Sequence, residues 1–121
     1  TVKHWTVEFD MVIFCSTHLR KLNSNRRPTL DDLKDSVVLG FEASLVWLIY
    51  NDVSKNGESA TISYTLEGSD EKMQVIEMDW RKNKKSSFKG RTYNYFTPNY
   101  SLATECPKEI MKQYDGLVYE G

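Results

Sequence analysis

No apolar run in the 121-residue chain approaches the roughly 20 residues that a membrane-spanning helix requires. Thr1 opens on a mixed stretch rather than a charged-then-apolar signal, so the expected setting is intracellular, cytoplasmic or nuclear, for a segment excised from a longer protein. Cysteine is scarce. Cys15 and Cys106 could pair, but two cysteines in a domain with enough core are more simply reduced thiols than a disulfide framework. Glycine occurs singly throughout, which excludes a glycine-rich phosphate loop. Asn99-Tyr100-Ser101 fits a glycosylation acceptor, yet without a secretory signal it is read as chance. There is no internal repeat and no low-complexity segment.

What is present describes one ordinary domain over residues 1–121. A hydrophobic fraction of 40%, a charged fraction of 27% and an aromatic content of 12% suit a chain that buries a core and argue against extended disorder. From Trp5 to Cys15 the odd positions Trp5, Val7, Phe9, Met11, Ile13 and Cys15 are apolar while Thr6, Glu8 and Asp10 point the other way, a period of two that predicts a strand. Thr29, Asp31 and Asp32 read as a helix start, Leu30, Leu33 and Val37 as its stripe and Gly40 as its end. Ala43 to Tyr50 predicts a buried strand, with helix through Leu48 as the alternative, and Asp52 to Glu58 a turn or loop. Ala60, Ile62, Tyr64 and Leu66 alternate with polar residues and predict a strand. Gly68-Ser69-Asp70 then turns into a strand from Met73 to Trp80, and Lys108 to Tyr114 suits a short helix. The expected class is α+β: a small OB-like β-barrel or curved sheet with one or two short helices and an appended strand-helix element.

Charge of one sign is missing from the stretch that holds the most cations. Trp80 to Thr104 contains no acidic residue but holds Arg81, Lys82, Lys84, Lys85, Lys89 and Arg91, so it carries +6 and leaves −7 for the rest of a chain whose net charge is −1. Trp80, Phe88, Tyr93, Tyr95, Phe96 and Tyr100 run through it. Cations neutralise phosphates and aromatic faces stack on unpaired bases, so the mixture points to single-stranded nucleic acid held at a localised site. The plainer alternative is a solvated loop beside core aromatics.

Met78-Asp79-Trp80-Arg81-Lys82-Asn83-Lys84-Lys85-Ser86-Ser87-Phe88, followed by Tyr95-Phe96-Thr97-Pro98-Asn99-Tyr100-Ser101-Leu102 and Pro107, resembles the PAZ domain of the Argonaute and Piwi proteins of RNA silencing. Leu39-Gly40 leading into an apolar strand that ends at Tyr50-Asn51 fits more loosely. Met73, Lys84 and Asn99 depart from the pattern. The resemblance implies an OB-like barrel whose appended element forms a cleft for the 3′ end of a short single-stranded guide RNA. Phe88, Tyr95 and Tyr100 would hold the terminal nucleotides, with Phe96 in the core. Arg81, Lys82, Lys85, Lys89 and Arg91 would meet phosphates, an inference from charge alone. Other domains of a parent protein are further expected partners.

Other constellations point less far. Cys15-Ser16-Thr17-His18 has zinc-like spacing, but only His4 and Cys106 could complete four ligands, so a core cysteine and a surface histidine are expected. Glu77 and Asp79 share a strand face without a third ligand. The chain reads as a binding module and not an enzyme, with no metal and no cofactor. The alternative function is a protein-protein interaction module docking a partner through exposed strands and the Tyr93 to Tyr100 aromatic surface.

Overall fold

A computed structural model describes residues 2–17, 19, 27–33 and 42–120. The chain is α+β, with a four-stranded antiparallel sheet in the order β1-β2-β3-β4: β1 Leu45–Asn51, β2 Val75–Asn83, β3 Arg91–Thr97 and β4 Leu102–Glu105. The sheet is open, with β1 and β4 as its edges, so the curved-sheet form of the expectation holds and the closed barrel does not. Among the described residues three helices are bounded, α1 Val2–Phe9, α2 Asp52–Asn56 and α3 Lys108–Glu120, with 3-10 turns at Leu30–Asp32, Gly57–Ser59 and Pro98–Tyr100.

Register fixes which residues share a face. Glu77 lies opposite Tyr50 and Tyr93, and Asp79 opposite Leu48 and Arg91. Because side chains alternate, Leu48, Tyr50, Val75, Glu77, Asp79, Arg91, Tyr93 and Tyr95 form one face, and Ile49, Ile76, Met78, Trp80, Thr92, Asn94 and Phe96 the other. The first face is covered. Ile62, Val75, Tyr93, Cys106 and Tyr114 are its buried centre, with Tyr64, Tyr95, Ile110, Met111 and Val118 packed around them. Ile110, Met111, Tyr114 and Val118 recur at helical spacing, so α3 presents one apolar stripe to this face. Two tyrosine hydroxyls find partners as they are buried: Tyr93 donates to Asp115 Oδ1 at 2.7 Å, and Tyr114 to the Ser63 carbonyl at 3.0 Å.

At its other end the covered face is ionic. Arg27 donates to both oxygens of the fully buried Glu77 at 3.2 Å and reaches Asp52 at 3.4 Å, with its guanidinium 4.8 Å from the Tyr50 ring centroid. Arg91 lies 3.9 Å from Glu77 and 3.4 Å from Asp79, and Arg81 lies 3.1 Å from Asp79. Asp52 organises the long β1–β2 connection. Its Oδ2 accepts from the Thr61 and Ile62 backbone N–H groups at 2.9 and 3.0 Å, and its Oδ1 from Asn56.

Several expectations are corrected. Trp5 to Cys15 is no strand: α1 runs to Phe9, and Asp10 turns left-handed at φ 49° with Met11 N–H bonded to the Thr6 carbonyl, a helix-ending geometry. Wound into a helix, an apolar alternation spreads around the axis, and Trp5, Val7 and Phe9 are exposed. Asp52 to Glu58 is helical, because the Asn51 side chain caps the N–H of Ser54. Ala60 and Ile62 are buried as their alternation predicts, yet the segment makes only the isolated bridge Tyr64–Met73. Asp32 accepts from the Thr29 N–H at 2.7 Å, as at a helix start, whereas Val37, Leu39 and Gly40 lie outside the described residues, as does His18. Cys15 is exposed and not core; Cys106 is the buried thiol.

Candidate nucleic-acid interface

The second sheet face is half-exposed, with Trp47 and Ile49 exposed and Ile76, Met78, Trp80, Thr92, Asn94 and Phe96 half-buried. Trp47 from β1 pairs with Trp80 of β2 across a register shift at Val46/Trp47, and their rings meet edge-on with centroids 5.2 Å apart. Phe88 meets Trp80 edge-on at 5.6 Å, and Phe14 lies nearly parallel to Trp47 at 6.5 Å and 24°. Four rings thus form a continuous row, in which Trp47 is 36% exposed, Phe88 45% and Phe14 79%. Trp80 Nε1 donates to Thr92 Oγ1 at 3.1 Å, which fixes the ring in the middle of the row.

Cations rim that row. Lys82 lies two residues beyond Trp80 on β2, opposite Val46 across the register shift, and the 84–90 loop presents Lys84, Lys85 and Lys89, all exposed. The loop takes its form from buried Asn83, whose Oδ1 accepts from the backbone N–H of Lys85 and Ser86 at 3.0 and 3.1 Å and whose Nδ2 donates to Ser86 Oγ at 2.8 Å and to the Phe88 carbonyl at 3.1 Å. An amide side chain that closes the turn from within leaves the lysines no place but outward. The Lys82 ammonium is held below the usual amine range, first by partial burial and then by repulsion from Lys84 and Lys3, so three cations crowd this end of the sheet.

The residues expected to bind RNA divide into two groups. Phe88, Lys82, Lys85 and Lys89 come together here. Arg81 lies beside them but is drawn to Asp79. Arg91 is buried between Glu77 and Asp79 on the covered face, its side chain 7% exposed, so it balances carboxylates. Tyr95 packs at 4.5 Å from Tyr64 against the core, where burial raises its pKa and that of Cys106, the latter to about 11. Tyr100, 81% exposed, follows the far end of β3, and seven residues rising about 3.3 Å each set it roughly 20 Å from Phe88. Phe88, Tyr95 and Tyr100 therefore do not converge on one cleft. Phe96, expected in the core, sits half-buried on the open face, and Tyr93, expected on a docking surface, is fully buried.

Trp47, Phe14 and Lys84 belong to the row or its rim without having been singled out. The uniformly apolar run at 45–50 hid that Leu48 and Tyr50 point inward while Trp47 and Ile49 point outward. Glu77 and Asp79 do share a face, but arginines engage both, and among the described residues no three His, Cys, Asp or Glu side chains are grouped to hold a metal ion. No helix among them is long and apolar enough to cross a membrane. Comparisons with protein-family models, curated proteins and solved structures found no match to this chain.

Proposed function

We propose that the chain is a binding module for short single-stranded RNA, making and breaking no bond, with the strand lying on the open sheet face beside the 84–90 loop. The observation that carries this reading is the row Trp47, Trp80 and Phe88 rimmed by Lys82, Lys84, Lys85 and Lys89. Exposed ring faces stack on bases that have no partner strand, and lysines beside them neutralise the connecting phosphates. An intracellular location, cytoplasmic or nuclear, goes with such a ligand. A kinship to PAZ domains is part of the same proposal, since its first motif falls on β2 and the lysine loop. Capture of a 3′ end, the finer form of the idea, is one arm of the test.

The test is fluorescence anisotropy with labelled RNA of roughly ten nucleotides, single-stranded or duplex, with its 3′ end free, 2′-O-methylated or blocked. Single strands are expected to bind more tightly than duplex, and Lys84→Ala/Lys85→Ala to weaken binding about tenfold. Equal affinity for duplex and single strand would overturn stacking as the mode. Sensitivity to the terminus would support 3′ capture, and indifference would leave a strand held along its length.

A second reading rests on β4. All four of its residues are exposed at a sheet edge, and Tyr100 stands beside it, an arrangement able to accept a peptide strand from a protein partner. A flat salt response with RNA, together with peptide capture or dimerisation, would favour it.

A further inference from the structure

The N-terminal segment is placed where it adds to the proposed site. Phe14 is 79% exposed, yet its ring lies at 24° to Trp47, whereas the other two ring pairs of the row cross at 70° and 84°. The 6.5 Å between centroids is at the wide end of the range for interacting rings, and both rings keep exposed area. Buried so little, Phe14 gains little from folding in this position. A flat apolar ring inserted beside it would gain two faces at once. The same segment brings charge: Lys3 on α1 is close enough to Lys82 for their ammonium groups to repel. A segment serving as a competitor for phosphate would be expected to set an acidic group at this point; instead a cation stands there.

We infer that Phe14 and Trp47 are the two jaws of a clamp for one unpaired base of an RNA strand. This rests on the proposed function and adds to it a base position and a residue, Phe14, outside the basic stretch. A base between the jaws replaces one ring-ring contact by two, and Phe14 moves aside by a small displacement to admit it.

The experiment uses the full chain and single-stranded RNA carrying one 2-aminopurine, whose fluorescence falls on stacking, with affinity read in parallel by anisotropy. Phe14→Ala and Phe14→Leu are expected to weaken binding at least fivefold and to relieve part of the quench, and Phe14→Tyr to restore both. Phe9→Ala, on a ring that is also exposed (60%) and is not one of the four in the row, is expected to change neither, and circular dichroism should be unaltered in all. If Phe14→Ala matches the wild type while Lys84→Ala/Lys85→Ala still weakens binding, the clamp is overturned and the RNA site stands. Tighter binding by Phe14→Ala would also overturn it, because Phe14 would then be blocking Trp47. An unaltered chain that binds no single-stranded RNA would overturn both.

Discussion

Asp52 shows how one carboxylate decides the form of a long connection. Burial pushes its pKa up, but the N–H groups of Ile62 and Thr61, the Asn56 amide and the Arg27 guanidinium outweigh burial and hold it below the ordinary carboxylate value. A depressed acid contributes stability that is present above its unfolded value near 3.8 and is lost as pH falls through the folded value. Glu77 has the opposite sign: burial outweighs Arg27 and Arg91, its pKa is raised, and its contribution is present below about 4.5 and lost as pH rises. Of these two carboxylates, it is Asp52 that contributes to the acid loss of stability. Asp52→Ala should cost about 3 kcal/mol, leaving two backbone N–H groups and an arginine short of an acceptor. Asp52→Asn should flatten the decline in urea midpoint below pH 4, and an unchanged acid limb would count against this assignment. Neighbouring cations separate equally sharply. Arg91→Ala should lower stability by about 2 kcal/mol by leaving Glu77 with Arg27 alone and Asp79 with Arg81 alone, while Lys89→Ala should leave the melting temperature alone and weaken RNA binding. Thermal melts and anisotropy on the two variants check both.

At the scale of elements, the 84–90 loop takes most of its side-chain hydrogen bonds from Asn83. Asn83→Ala removes four hydrogen bonds that shape it, so the lysines should lose their common orientation. RNA affinity is expected to fall several-fold with the sheet intact, and faster amide exchange confined to 84–90 would mark the cause. Ile62 tests the neighbouring connection: fully buried outside any strand, it should cost about 3 kcal/mol as Ile62→Ala in a urea titration. These elements also mark how far the sequence could be read. β2 was legible from its turn signal and β1 from an apolar run rich in strand formers, for which helix through Leu48 stood as the alternative, and the first turns of α3 were legible after Pro107. The segment 60–66 kept its predicted alternation of burial at Ala60 and Ile62 without becoming a named strand, since Asp52 satisfies backbone groups that a neighbouring strand would otherwise take. The N-terminal stretch failed because alternation decides a strand only when a sheet edge receives it. In the site, the acid-free composition located the lysine loop. It could not tell Arg91 from Lys89, because their difference is that β3 begins at Arg91, which lies opposite Asp79, while Lys89 stays in the loop before it, a fact of register that composition does not contain.

The whole molecule is nearly neutral but strongly uneven, and that unevenness makes a quantitative claim. With −7 outside that stretch the chain as a whole has no net attraction for a polyanion, so attraction falls to local clusters such as Lys82, Lys84, Lys85 and Lys89. A strand that contacts about four lysines should show a log-log salt slope of about −3, since single strands lose roughly 0.7 per neutralised phosphate. Raising salt from about 50 to about 200 mM should then weaken binding about fiftyfold. The Lys84→Ala/Lys85→Ala variant should have a shallower slope, near −1.5, because two phosphate contacts are gone. A ring variant such as Trp80→Leu should lose affinity at every salt concentration while keeping the slope, because stacking releases no counterions. The two variants thus separate what the cations do from what the rings do. If the slope stays near zero in the unaltered chain, the lysines are a solvated rim, the open apolar face is free for another ligand, and the exposed β4 edge becomes the better account of what this domain holds.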